Sequence, residues 1–230
     1  MKTKLIMPAA MAFIVAALPS QAGFIQYSDP TVFYNDVGSG LSVENFESVS
    51  SGTVIANGAM LNGITYGLND SSIDFVINNT VDTSSGENAL ATSIGPFLDL
   101  LDVITFEFDY ITNAFGISFS LSDTPLAGEL FLSIEGHNFG IEAANPVSTL
   151  ADGSLAYFIG VISDDTLFNK VTVGTFDDGD TNFDFVMDDL AVNAISVPEP
   201  TPATLFGFCL FALFGRKATR FLSISRIKEK

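Results

Sequence analysis

The 230-residue sequence contains no tryptophan, one cysteine and one histidine. With a single thiol, Cys209, no disulfide framework can staple the chain, and the fold has to be held by an apolar core. The lone histidine, His137, lies in a Gly-His-Asn-Phe turn, and no Gly-x-Ser-x-Gly elbow occurs, so activated-serine chemistry finds no support. His- and Cys-rich spacings suited to zinc or redox metals are missing, as is a phosphate-cradling glycine loop. Cations are also scarce, nine Lys and Arg against twenty-seven Asp and Glu. Eight of the nine stand at the two ends; between Gly23 and Ser196 only Lys170 opposes twenty-five acids, a formal charge of −24. Such a surface repels nucleic acid, which is excluded as a partner, and anionic phospholipid; it attracts divalent cations or basic partners.

The ends carry the clearest signals. Lys2 and Lys4 precede an apolar run from Leu5 to Leu18, followed by Pro19-Ser20-Gln21-Ala22. Basic, apolar and small-residue regions in that order read as a secretory signal cut between Ala22 and Gly23, which implies the Sec translocon and signal peptidase as processing partners. The other end runs Val197-Pro198-Glu199-Pro200, then an apolar segment over 203–215, then Arg216-Lys217 and a basic close. Two prolines around Glu199 mark an extended linker. The apolar run falls short of the ~20 residues that span a bilayer comfortably. Basic residues beyond it stay cytoplasmic, leaving the body outside. The expected division is therefore a signal peptide at 1–22, a single body at 23–196 and a tail at 197–230.

Within the body, Asp29-Pro30 predicts a helix start, with Phe33 and Val37 on one face and Gly38 as its stop. Thereafter the apolar period is two. Ile104, Phe106, Phe108 and Tyr110 alternate with Thr105, Glu107 and Asp109, and Phe115, Ile117, Phe119 and Leu121 form a second run spaced by Gly116, Ser118 and Ser120. Further strands are expected around Leu130–Ile134, Tyr157–Ile162, Val171, Phe185 and Leu190, separated by turn clusters such as Asp152-Gly153-Ser154. Many short strands with Gly, Asn and Asp turns predict an all-β antiparallel sandwich or barrel, two sheets sharing a Phe-rich core.

Two acidic arrangements are candidates for chemistry. Glu107 and Asp109 share one side of a strand and are the carboxylate pair a glycosidase would need, although a solvated face explains them equally. Asp178, Asp180, Asn182 and Asp184 are spaced by two, with Asp188 and Asp189 close behind, an oxygen-rich stretch of the kind calcium takes. Phe183 occupies the position where a helix–loop–helix calcium site needs glycine, so that motif is rejected; a polar hairpin turn is the bland alternative.

The tail, with Val197-Pro198-Glu199-Pro200, the apolar run and Gly215-Arg216-Lys217, resembles the C-terminal sorting signal of the PEP-CTERM proteins of Gram-negative bacteria. The resemblance implies recognition of Pro-Glu-Pro by exosortase, a membrane peptidase that cuts nearby and releases or re-anchors the exported body. The body is similar to β-sandwich domains attached to such tails, through Glu44-Asn45-Phe46-Glu47-Ser48, Gly63-Ile64-Thr65-Tyr66 and Phe185-Val186-Met187-Asp188-Asp189-Leu190. In related jelly-roll modules, acids from the first and last strands can hold a structural calcium; by position Glu47 and Asp188 or Asp189 would serve here. The resulting expectation is a jelly-roll sandwich without enzymatic activity, displayed in the envelope or the exopolysaccharide matrix, with extracellular polysaccharide as a partner and a carboxylate-pair hydrolase as the competing reading.

Overall fold

The computed structural model describes residues 23–99, 102–141, 146–176 and 184–195. Both terminal segments read above as export and sorting signals, including Ala22, Pro198-Glu199-Pro200, Arg216 and Lys217, lie outside the described residues, as do Asp178 and Asp180. Among the described residues the architecture is mostly β with one short helix, and every strand pairing is antiparallel within a single connected sheet.

The elements in chain order are β1 (Phe24–Tyr27), α1 (Pro30–Val37), β2 (Leu41–Glu44), β3 (Val54–Ile55), β4 (Met60–Leu61), β5 (Ile64–Leu68), β6 (Phe75–Asn78) and β7 (Ala89–Thr92). They continue with β8 (Ile104–Leu121), β9 (Leu130–Ile134), β10 (His137–Gly140), β11 (Ser148–Thr149), β12 (Leu155–Ser163), β13 (Phe168–Thr175) and β14 (Phe185–Ile195). The helix forms as its sequence predicts. Asp29 Oδ1 accepts from the amides of Thr31 at 2.7 Å and Val32 at 3.3 Å, Pro30 opens the first turn, and Gly38 at φ 77° ends it.

Strand β8 organises the rest. Its two alternating runs, expected as separate strands, form one continuous strand of 18 residues. The first half pairs with β5 and β13, and β9 and β10 extend beyond β13. The second half pairs with β12 and β14; β1 and β11 add to β12, while β2 and β7 add to β14, with β6 and β3 outside β7. Thr112 joins the halves. Its buried hydroxyl donates to the carbonyl of Ala114 at 2.7 Å and accepts from that residue's amide at 3.1 Å, so both polar backbone groups of Ala114 have a side-chain partner. Both neighbours change register at this level, β13 between Phe168 and Lys170 and β14 between Val192 and Ala194.

One apolar cluster takes Ile104, Phe106 and Phe108 from the first half of β8 and Phe115, Ile117, Phe119 and Leu121 from the second. The sheet therefore closes over a shared core, with Tyr66 packed edge-on to Phe75 and Phe106. The opposite faces of the two halves differ. Glu107 and Asp109 on the first are exposed, whereas Ala114, Gly116, Ser118 and Ser120 on the second are buried. Something covers that second outer face, and part of the cover is α1. The ring of Phe33 lies over the cross-strand pair Gly116–Gly160 and against Phe158. A Cβ on Gly160 would stand 2.6 Å from Phe33 Cδ2 and 2.7 Å from Phe158 Cε1, so only glycine lets the helix seat.

Candidate functional site

Beyond α1 the outer face of β8 continues through Ser118 and Ser120, and its neighbours there are Phe158 and Ala156 on β12 and Asp188 and Val186 on β14. Ser118, Ser120 and Ala156 are small, and two segments lie over them, the 79–88 loop and 146–154 with its short strand β11. The loops are clasped together. Asp152 donates its amide to Asp82 Oδ2 at 2.8 Å, and Asp82 returns the bond to Asp152 Oδ2 at 3.2 Å. Ser154 adds its hydroxyl at 2.6 Å and amide at 2.9 Å to Asp152 Oδ1, and these donors hold the Asp152 carboxyl below the usual carboxylate range.

Two hollows remain beneath the cover. One, of about 230 Å³, is lined by Tyr34, Ser84, Ser118, Ser148, Tyr157 and Asp189 among others. The second, of about 320 Å³, is lined by Thr80, Phe97, Ser120, Ser122, Asp152 and Ser154 with Val81 and Gly153. The first wall is mostly apolar with hydroxyls and one carboxylate set into it, the second is about evenly polar and apolar, and neither has a cation on its wall.

At the edge of the first hollow stand Asp188 and Asp189. Consecutive residues of a regular strand point to opposite faces. Here Asp189 adopts φ 50°, and β14 shifts register against β8 between Asp188 and Ala191. This bulge turns both carboxylates toward the same loop. Asp188 Oδ2 accepts from the Ser85 amide at 3.0 Å and from the Ser85 and Ser84 hydroxyls at 3.1 and 3.3 Å. Asp189 oxygens stand 2.6 Å from the Ser85 hydroxyl and 2.9 Å from that of Ser84, so each hydroxyl, with one proton to donate, is shared between the two carboxyl groups. Asp188 is 1% exposed, and burial, followed by the charge of Asp189, pushes its pKa up to about 7. Burial and the same two carboxylates push Tyr34 up to about 12, which keeps its hydroxyl protonated.

Glu47 meets the same loop farther along. Its Oε1 accepts from the amides of Glu87 at 2.8 Å and Asn88 at 2.7 Å, while Asn88 Nδ2 donates to the carbonyls of Phe46 and Val49. Gly86, at φ 64°, sits so close that a Cβ there would meet the Glu47 carboxylate. The structure thus brings Glu47, Asp188 and Asp189 onto one loop, 84–88, although they do not converge on one point. Their oxygens suit a hard cation in kind. In arrangement they fit poorly, because each carboxylate is engaged by loop donors and no group of three acids among the described residues stands close enough to hold an ion.

The other candidates separate. Glu107 and Asp109 share the wet face of β8, with Glu107 opposite Thr65 and Lys170 in the neighbouring strands. His137 opens β10, exposed, its ring centroid 5.0 Å from that of Phe24. Sequence reasoning passed over Ser84, Ser85, Asp82, Asp152, Ser118 and Ser120. One signal for the last two was present: Gly116, Ser118 and Ser120 are all small and uncharged, where an exposed outer face in so acidic a chain would carry charge.

No family model matches the chain, and no curated protein matches it. Solved structures that do match include the catalytic domain of a GH87 alpha-1,3-glucanase in complex with nigerose, at 16% identity and a TM-score of 0.31, over 64% of this chain and 31% of that one. A variant of that domain in complex with tetrasaccharides matches at 17% identity and a TM-score of 0.32, over 66% of this chain and 30% of that one. The chain thus spans about a third of the length of these structures.

Proposed function

We propose that this chain is an exported surface or matrix protein of a Gram-negative bacterium, sorted by an exosortase-type peptidase through Pro198-Glu199-Pro200. Its body is a non-enzymatic β-sandwich of jelly-roll type that associates with extracellular polysaccharide. The observation that carries the ligand reading is the covered outer face of β8, where hydroxyls, carboxylates and the aromatic residues Tyr34, Tyr157 and Phe97 line two hollows on a strongly acidic body. Neutral, hydroxyl-rich ligands suit such walls, because each ligand hydroxyl both donates and accepts, while anions are repelled. The sandwich reading is supported by the two halves of β8, which pair with different strands and contribute to one core. Structural calcium, implied by the resemblance of Glu47, Asp188 and Asp189, would require Ser84 and Ser85 to give up both aspartates, so no step of this reading depends on it.

The test has two arms. Mass spectrometry of the mature C-terminus is made on cells with and without the sorting peptidase; a species ending at Lys230 in both overturns the sorting reading. The mature protein is then applied to an array of neutral and acidic polysaccharides. Retention of neutral glycans without release of reducing ends is expected. Hydrolysis lost on Glu107→Gln or Asp109→Asn would establish the hydrolase instead.

A further inference from the structure

We infer that the smaller hollow, of about 230 Å³, binds an amino sugar, with Asp189 as the counter-charge for its ammonium group and Ser118 and Tyr34 as hydrogen-bond partners for its hydroxyls. The inference rests on the polysaccharide reading and narrows it to chains that carry free amino groups. The first observation is a buried hydroxyl left open to the hollow. Ser118 is 3% exposed and lines the hollow, and its Oγ has no hydrogen-bond partner among the described residues. Unlike the Ser120 hydroxyl two residues on, which is sealed off, it keeps accessible surface. A buried hydroxyl without a partner is a net cost, and a ligand hydroxyl entering the hollow would satisfy it.

The second observation is a carboxylate whose charge nothing nearby offsets. Asp189 is half-buried on the wall, and its donors among the described residues are the Ser84 and Ser85 hydroxyls, which it shares with Asp188. The backbone amides go to Asp188 instead, from Ser85 at 3.0 Å and from Asp189 at 2.7 Å. No cation lines the hollow. Lys170, the one Lys or Arg of the body, is exposed on β13 against the other half of β8. Two adjacent acids in this setting favour a positively charged ligand. An ammonium group supplies three donors, and its hydrogen bonds to a carboxylate are of the strong, charge-assisted kind.

Strand register fixes how these groups are arranged. Phe158, Ser118 and Asp188 form one row across β12, β8 and β14. Tyr34 stands at the Phe158 end, its ring edge-on to that of Phe158 at a centroid distance of 6.0 Å. The bulge at Asp189 and its contact with Ser84 mark the other end, and Ser118 lies between. Burial, then the charges of Asp189 and Asp188, push the Tyr34 hydroxyl up to about 12, so it stays a donor. Pro30, Val147 and Ala156 supply apolar surface for the C–H face of a pyranose. The volume falls below the ~300 Å³ at which drug-sized sites begin, so the hollow admits one ring. A ring with one ammonium among its hydroxyls uses every one of these groups. A neutral ring leaves Asp189 unmatched, and a uronic acid is repelled.

Mature protein is titrated by calorimetry with trimers of glucosamine, N-acetylglucosamine and glucose, at a mildly acidic pH where the amine is protonated and at constant ionic strength. Lysine methyl ester serves as an ammonium without a sugar. The glucosamine trimer should bind about tenfold more tightly than either neutral trimer. Asp189→Asn should abolish that preference, and asparagine tolerates the left-handed backbone at this position, so the fold is kept. The change removes one of twenty-five acids, so attraction to the body as a whole is nearly unaltered. Ser118→Ala should weaken the glucosamine trimer several-fold without lowering the melting temperature of the free protein, a split that a purely structural serine would not produce. A preference that survives Asp189→Asn, or an affinity unchanged by Ser118→Ala, overturns the site and leaves the polysaccharide reading standing. Tighter binding of lysine methyl ester than of the glucosamine trimer, lost on Asp189→Asn, overturns the sugar assignment in favour of a lysine side chain. Failure of every trimer and every polysaccharide to bind the wild type overturns both readings.

Discussion

Asp188 makes the stability of the body depend on pH in an unusual direction. Its carboxyl is 1% exposed and titrates near 7, against an ordinary value of 3.8. Between those values the folded chain holds a proton that the unfolded chain has released. Stability from this group is therefore full below the unfolded value and is lost as pH rises toward the folded one. At about 1.4 kcal/mol per pH unit over the roughly three-unit interval, the loss totals about 4 kcal/mol. Asp188→Asn removes the titration and leaves every other acid in place, so the difference between the two proteins isolates the group. The amide carries a pH-independent cost of about 1–2 kcal/mol. It can present an oxygen to Ser85 or to the Asp189 amide, but not to both, whereas Asp188 now accepts from each. Urea unfolding of both proteins, followed by far-ultraviolet circular dichroism at constant ionic strength from pH 4 to pH 8, measures the effect. The variant should gain on the wild type by several kcal/mol across that range, with most of the change below pH 7. A difference that stays flat from pH 4 to pH 8 would refute the assignment of a proton to buried Asp188.

Tyr66 has its hydroxyl buried without a partner among the described residues, so Tyr66→Phe should raise stability by about 1 kcal/mol, read as a rise of a few degrees in the melting temperature. Gly160→Ala should lower stability by about 2 kcal/mol in denaturant melts, because its methyl meets the Phe33 and Phe158 rings beneath α1; the same change at Gly95, with open space around its Cβ position, should cost less. Millimolar calcium against chelator should leave the melting temperature unchanged, since Glu47, Asp188 and Asp189 are engaged by the 84–88 loop. A rise of several degrees with calcium would show that the ion displaces Ser84 and Ser85.

Much of the fold was legible because its signals are local. The cap, proline and stop glycine of α1 lie within ten residues of one another, and the alternation of β8 follows from one wet face at Glu107 and Asp109. The same alternation hid the continuity of β8. Residues 111–114 carry no apolar period, and the strand persists there because Thr112 bonds Ala114 while two neighbouring strands shift register around it. Asp188 and Asp189 were recognised as a pair worth attention, but their partners were not. Ser84 and Ser85 lie more than one hundred residues away in sequence, and the left-handed turn at Asp189 has no signature in a residue that is not glycine.

The sequence by itself determined the mostly β character, the acidity of the body, its reliance on an apolar core without disulfides, and the place of the capped helix α1. Those properties follow from composition and from spacings of two to four residues, which act before the chain closes on itself. Only the tertiary structure decided that the second half of β8 is buried on both faces. The cover over Ser118 and Ser120 comes from α1 and from loops 79–88 and 146–154, and it is held by Phe33 on paired glycines and by the Asp82–Asp152 clasp. Whether a small outward residue faces water or the wall of a hollow depends on what packs over it, and that is settled by contacts between segments far apart in the chain.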